Sequence, residues 1–338
     1  MLRSLLCTFC VAAAGLLAGC SGSSTVPNSL GPGSGITSNT AQTSQRAAGP
    51  RLNASGCGDA VVYAASYDNT VYIYDQRRNG GAACGSVSGL VNPQGLFVDK
   101  QRNLWAVNGG NGRSSPSAVY EFAPPNPTPI KTLQDSSGFP VDVVVDNRSG
   151  TVYVSNFFEN GSAPGVIEVY AGGSTTPTST LSDPHMTNAF YEAVDDQGNL
   201  YVTYLQVTGP SGVGRVDEWI GGTGSATDLG ITLKAPGGIQ TTSTGALLIC
   251  DQSAPACGDF APGSTTMSNA LATKDSDPFA IALDAHERHA YVEDTGAGSL
   301  QTWRYPGPRA KPMQTIAVPN GAYAGVAASP ASAQGLPY

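Results

Sequence analysis

The chain has 338 residues, of which only 12% are charged, and 42 glycines and 24 prolines punctuate it throughout. So little charge, against a usual quarter or so, with so many turn formers suits an exported all-β protein. A formal net charge of −8 with no arginine-rich stretch excludes nucleic acid as an expected partner.

The chain opens with Met1-Leu2-Arg3, one positive charge, followed by an apolar run from Leu5 to Leu17 and then Ala18-Gly19-Cys20. That order predicts a signal peptide over residues 1–19, with an apolar run too short to span a bilayer comfortably. Its end resembles the lipobox of bacterial lipoproteins, which implies that Cys20 becomes the lipidated first residue. The competing reading is an ordinary secretory signal with a chance cysteine. Ser21 follows instead of Asp, and the lipoprotein resemblance then implies the bacterial cell envelope and sorting to the outer membrane, with membrane contact through the lipid anchor only.

Residues 20–56 are Ser, Gly, Thr, Pro and Asn with hardly an apolar cluster. Such a segment buries too little surface to offset its conformational entropy and reads as a disordered tether. The sequon at Asn53-Ala54-Ser55 is read as chance.

From residue 57 the chain repeats. The run from Gly138 to Tyr170 states the unit most fully: Val141 to Val145, a turn at Asp146 to Gly150, Val152-Tyr153-Val154, a loop through Asn160-Gly161, then Val166 to Tyr170. Valine and tyrosine runs broken by Asn, Asp, Ser and Gly predict consecutive antiparallel strands. An aromatic near the end of the third strand recurs at Tyr74, Phe122, Tyr170, Trp219, Phe260 and Trp303, at separations of 48, 48, 49, 41 and 43 residues. A bulky second-strand residue keeps step at Tyr63, Trp105, Tyr153, Tyr201, Leu248 and Tyr291. Pro93, Pro140, Pro236 and Pro278 open first strands, and Asp99, Asp146, Asp195 and Asp284 close them. This period predicts a six-bladed β-propeller of four-stranded blades over residues 57–329, with a tail at 330–338. Val61-Val62-Tyr63 has no first strand before it, and Gly325 to Ala328 is a first strand with nothing after it. The C-terminal strand is therefore expected to close the ring on the N-terminal blade, leaving no open inner edge.

Cys7 and Cys10 leave with the signal peptide and Cys20 is committed to lipid, so Cys57, Cys84, Cys250 and Cys257 remain. Three pairings exist. Cys250 with Cys257 is favoured because the two lie at the end of one strand and the start of the next, which leaves Cys57 with Cys84. A four-thiolate metal site needs two CxxC-like pairs, and neither spacing fits.

The motifs Pro93 to Asp99 (PQGLFVD), Asn103 to Asn108 (NLWAVN) and Gln197 to Val202 (QGNLYV) resemble those of NHL-type six-bladed propellers, over roughly residues 57–329. That resemblance implies fold more than function. Relatives of the shape include binding scaffolds, calcium-dependent lactonases of the SMP-30/gluconolactonase type and lyases similar to the streptogramin-inactivating enzyme.

Propeller ligands usually meet the face carrying the outer-to-inner and second-to-third strand connections. Ser66, Asn108, Asn156, Tyr204, Asp251 and Asp294 are expected to end second strands there. One reading makes their short polar side chains turn caps. The other makes them a ring of oxygens at the channel mouth, in which Asp142, Glu192, Asn156 and Asp251 offer a hard donor set for Ca²⁺. His185 is the one histidine near that face, and a lone loop histidine is ordinarily a solvated side chain. No G-x-S-x-G elbow, H-E-x-x-H helix or phosphate-cradling loop occurs in a fitting context, and the lactonase motif and metal triad have no convincing match. The long loops Asn108 to Ser117, Asn156 to Gly165 and Tyr204 to Gly214 come from consecutive blades. With Asn108, Phe157, Phe158 and Tyr204 they suggest an aromatic binding surface for an envelope protein or glycan. The expected molecule is thus a monomeric binding or scaffold module, with a Ca²⁺-dependent lactonase as the alternative.

Overall fold

The computed structural model describes residues 49–76, 81–111, 116–158, 164–208, 211–273 and 277–331. Cys20, the expected signal peptide and most of the expected tether lie outside them. Blade 1 takes β1 (Arg51–Asn53), β2 (Val61–Ser66), β3 (Val71–Asp75) and β4 (Gly85–Ser88) from the N-terminal side. Blade 2 is β5 (Pro93–Val98), β6 (Leu104–Asn108), β7 (Ala118–Phe122) and β8 (Lys131–Gln134). Blade 3 is β9 (Pro140–Val145), β10 (Val152–Asn156), β11 (Val166–Tyr170) and β12 (Ser179–Leu181). Blade 4 is β13 (Asn188–Val194), β14 (Leu200–Thr208), β15 (Ser211–Trp219) and β16 (Thr227–Asp228). Blade 5 is β17 (Pro236–Thr241), β18 (Leu247–Asp251), β19 (Ala256–Phe260) and β20 (Ser268–Ala272). Blade 6 is β21 (Pro278–Leu283), β22 (His289–Asp294), β23 (Ser299–Arg304) and β24 (Gln314–Ala317), and the last strand is β25 (Ala322–Ser329).

β25 returns to blade 1 and pairs antiparallel with β2, Val61 opposite Ser329 and Ala64 opposite Val326, so the ring closes as expected. The order in that blade is β1-β4-β3-β2-β25, five strands where the others have four. The folded sheet thus starts ahead of residue 57, because Leu52 is buried and β1 pairs with β4.

The six recurrent aromatics Tyr74, Phe122, Tyr170, Trp219, Phe260 and Trp303 all lie in third strands and are buried. They fill the seams between blades, where the apolar clusters run from sheet to sheet. Burying each such ring contributes on the order of 2–3 kcal/mol, which gives the repeat its physical reason. The inner strands contact one another in cyclic order around the axis. Glycine permits the closest approaches: a Cβ on Gly95 would lie 2.0 Å from Asp142 Oδ1, and one on Gly325 2.1 Å from the Gln94 carbonyl oxygen.

Both expected disulfides are present, Cys57–Cys84 and Cys250–Cys257. The second joins residues directly opposite on β18 and β19, and the first ties the turn after β1 to the residue before β4.

Candidate binding face

The ends of the second strands and the starts of the inner strands share one face, and side chains there hold the entering loops. Asn108 Oδ1 accepts the Val91 amide at 2.6 Å, Asn156 Oδ1 the Phe139 amide at 3.3 Å, and Asp294 Oδ1 the Asp277 amide at 3.1 Å. Asp251 accepts four backbone amides, those of Lys234, Ala235, Ser253 and Ala254, at 2.8–3.2 Å. In blade 1 the Ser66 hydroxyl donates to the Pro319 carbonyl at 2.6 Å. Ser66, Asp251 and Asp294 also accept amides of the turn that follows them, as turn caps do, whereas the oxygens of Asn108 and Asn156 hold only the loop that leads into their own blade.

In all six blades the ladder between inner and second strand slips register near this face. A slip leaves backbone donors without ladder partners. Buried carboxyl groups take them up. Glu192 Oε1 accepts the Ser155 amide at 3.2 Å, and Asp142 Oδ2 accepts the Glu192 amide at 3.1 Å. Glu293 Oε2 accepts the Gly325 amide at 2.6 Å. Burial penalises the ionised forms and outweighs these amides, so the Asp142 carboxyl is pushed up to about 8. Burial likewise raises Glu192 and Glu293 well above the carboxylate range, with the Asp142 charge adding to the effect on Glu192.

The centre of the ring is crossed by a side chain. Tyr191, on β13, donates its hydroxyl to the Ala324 carbonyl of β25 at 2.9 Å, and its ring meets Phe279 of blade 6 edge-on at 6.0 Å. Beside it the Gln94 amide donates to the Tyr323 hydroxyl at 3.0 Å.

Aromatic side chains surround this plugged centre. Phe157 and Phe158, just past β10, form an edge-on pair at 4.5 Å, with Phe139 at 5.8 and 6.2 Å and Phe190 at 5.2 Å from Phe157. Phe139, Phe157 and Phe158 are half-buried while Phe190 is covered. On blade 1, Tyr67 is 55% exposed and its ring lies 4.4 Å from that of half-buried Tyr323. The β14–β15 hairpin flanks the phenylalanines, with Val207 43% exposed.

The structure sorts the expected site residues accordingly. Asp142, Glu192 and Asn156 are neighbours across blades 3 and 4, whereas Asp251 is in blade 5, its Oδ2 held by the Lys234 amide of the loop leading into β17 and its Oδ1 by that loop and its own turn. The four do not converge, and among the described residues no group of three or more His, Cys, Asp or Glu has the geometry to hold a metal ion. A Ca²⁺ ion does not fit this donor set. Phe157 and Phe158 stand in the aromatic cluster. Asn108 and Tyr204, at 2% exposure each, are buried and offer no contact area. Tyr204 does not end its strand: β14 runs on to Thr208 and pairs with β15 throughout, so the expected loop from Tyr204 to Gly214 is a hairpin. His185 is exposed, its Nδ1 3.1 Å from Asp183. Tyr191, Glu293, Tyr67 and Tyr323 were not singled out by sequence, although an acid inside the run Tyr291-Val292-Glu293 was a signal for Glu293.

No protein-family profile and no curated protein matches the chain. Among solved structures, a chain from a crystal structure of a nidogen/laminin complex superimposes with a TM-score of 0.63 and 16% sequence identity, over 80% of this chain and 98% of that one. At that identity the likeness establishes the propeller fold alone.

Proposed function

We propose that this chain is an NHL-like propeller lipoprotein of the bacterial cell envelope, anchored through Cys20, that binds an envelope protein through the face carrying Phe139, Phe157 and Phe158. The observation that carries the reading is the half-buried phenylalanine cluster beside a closed channel. Clustered aromatic area, pinned by its own ring contacts, is what binding hot spots are made of, because little side-chain entropy is lost on contact. Most polar groups on the same face hold backbone: the clamps hold loops, one carboxyl oxygen each of Asp142, Glu192 and Glu293 accepts an amide freed by a slipped strand, and the Tyr191 hydroxyl reaches across the ring to Ala324. That engagement favours binding over chemistry and leaves the calcium-dependent lactonase without an observation in its support.

The test is affinity isolation from cross-linked envelopes of the native host with the unaltered chain and with Phe158→Asp. A protein recovered with the first and reduced about tenfold or more with the second is expected, since an aspartate there places a charge in the apolar contact. Identical recovery with both chains sinks the proposal.

A further inference from the structure

The loop that enters blade 3, between β8 and β9, hangs from two carboxyl groups. Glu168, buried in the middle of β11, accepts the Ser136 amide at 3.1 Å, the Ser137 hydroxyl at 3.0 Å and the Ser136 hydroxyl, all through Oε1, and the Tyr170 hydroxyl at 2.6 Å through Oε2. Asp135, in the loop itself, accepts the Ser117 hydroxyl at 2.6 Å and the Gly138 amide at 2.7 Å through Oδ2. Its Oδ1 is buried and receives no hydrogen bond, and the Asp135 carboxyl has that of Glu168 as a hydrogen-bonding neighbour. In blade 4 the third-strand residue in the same register is Asp217, and neither of its oxygens receives a bond from the loop entering that blade. The repeat itself therefore does not require the arrangement.

This is the loop that delivers Phe139. The Gly138 amide held by Asp135 directly precedes it, at a left-handed φ of +89°. The Phe139 amide donates to Asn156 Oδ1 at 3.3 Å and its carbonyl accepts the Phe157 amide at 3.0 Å. Where the turn from Asp135 to Gly138 is held thus sets how Phe139 meets Phe157 and Phe158. Two carboxyl groups in contact repel when both are ionised, and one proton between them turns the repulsion into a bond. The titratable groups that face Asp135 are Glu168 and Tyr170, both of β11, and among the described residues neither carboxyl has an ion pair with Lys, Arg or His. No cation offsets the pair, so relief of its repulsion falls to a proton. Burial, and after it the Glu168 charge, pushes the Asp135 carboxyl up to about 6, against the lowering pull of the Ser117 hydroxyl and the Gly138 amide. With its value raised in the fold, the protonated form prevails below about 6 and is lost as pH rises through it.

We propose, resting on the reading of the phenylalanine face as the binding surface, that Asp135 and Glu168 form a proton-operated latch: with a proton between them the loop holds Phe139 in the cluster, and loss of that proton loosens the loop and weakens binding. A contact surface that is held in place before contact binds more tightly than one that must be ordered on contact. Acid therefore strengthens the hold on the envelope protein.

The full chain carrying para-fluorophenylalanine at position 139 is followed by fluorine NMR between about pH 4 and 9, beside the same chain with Asp135→Asn. The asparagine amide donates to Glu168 at every pH and still offers an oxygen to Ser117 and Gly138. Expected is a step in the fluorine shift near pH 6 in the first chain and none in the second. Recovery of protein from cross-linked envelopes is expected to be about threefold or more lower at pH 8 than at pH 5 with the unaltered chain, and equal at the two with Asp135→Asn. A fluorine step that is absent, or that persists in Asp135→Asn, overturns the latch whether or not the face binds. A step accompanied by recovery that is equal at both pH values and lost in Phe158→Asp overturns the control of binding and leaves the binding face standing. No recovery with any chain removes the face and the proposal with it.

Discussion

The hydroxyl of Tyr191 donates to the carbonyl of Ala324 at 2.9 Å, and the two residues belong to blades 4 and 1, which face each other across the ring. β25, which carries Ala324, is also the strand that closes the ring, so this bond braces the closure from the far side. Tyr191→Phe keeps the ring against Phe279 and deletes the bond. A loss of about 1–2 kcal/mol is expected, seen as a fall of several degrees in the melting temperature. An unchanged melt would mean that the hydroxyl braces nothing.

Stability is expected to fall as pH rises from about 4 to about 8. Asp142, raised to about 8 in the fold, keeps its proton there while the unfolded chain, with an ordinary carboxyl near 4, has lost it. A group of this kind stabilises fully below its unfolded value, and the stabilisation is lost as pH climbs through the folded value. Glu192 and Glu293 are shifted in the same direction and add to the slope. Asp142→Asn keeps an oxygen for the Glu192 amide and removes the titration. Melting temperatures from pH 4 to 9 should slope less for that variant than for the unaltered chain; parallel curves would contradict neutral burial of Asp142.

Asp251→Ala removes an acceptor shared by four backbone amides. A loss of about 2–4 kcal/mol is expected from charge-assisted bonds of this kind, identical with and without millimolar calcium. A stability loss that appears only when calcium is present would make Asp251 a metal ligand instead of a clamp.

Opening the Cys57–Cys84 bridge by replacing both residues with serine is expected to cost about 3 kcal/mol, from the freed 27-residue separation. Because the bridge follows β1 directly, hydrogen exchange at Arg51–Asn53 should speed up more than at any other strand. Uniform acceleration across the blades would place the effect elsewhere.

The ring was legible in the sequence because the seams impose one large side chain per third strand, and Tyr74 through Trp303 repeat at the period of a blade. The unpaired Val61 and Gly325 segments announced the closure, since a propeller cannot leave an inner edge open. What sequence concealed was whether a polar side chain has work to do in the backbone. Asp142, Glu192 and Asp251 read as ligands by residue type, and only the register slips and loop amides reveal that Asp251 and one oxygen each of Asp142 and Glu192 hold backbone amides. Leu52 was lost in a polar stretch because three residues of strand leave almost no periodic signal. Tyr204 was set at a strand end by the spacing of its counterparts, although the unbroken run from Tyr201 to Thr208 favours extended backbone and β14 follows it to the end. Phe157 and Phe158 were placed near one face by the repeat, because they directly follow the end of β10, where the ladder slips between Ser155 and Asn156.

The most direct test of a binding face is a photoreactive residue placed singly at positions 158, 67 and 313 in the chain expressed in its native host. Phe158 and Tyr67 stand on the proposed face, while Met313, 62% exposed, precedes the outermost strand of blade 6 and serves as the control. A discrete protein adduct from 158 and 67 and none from 313 is the predicted result. No adduct from 158 or 67, or the same adduct from all three, would contradict the account.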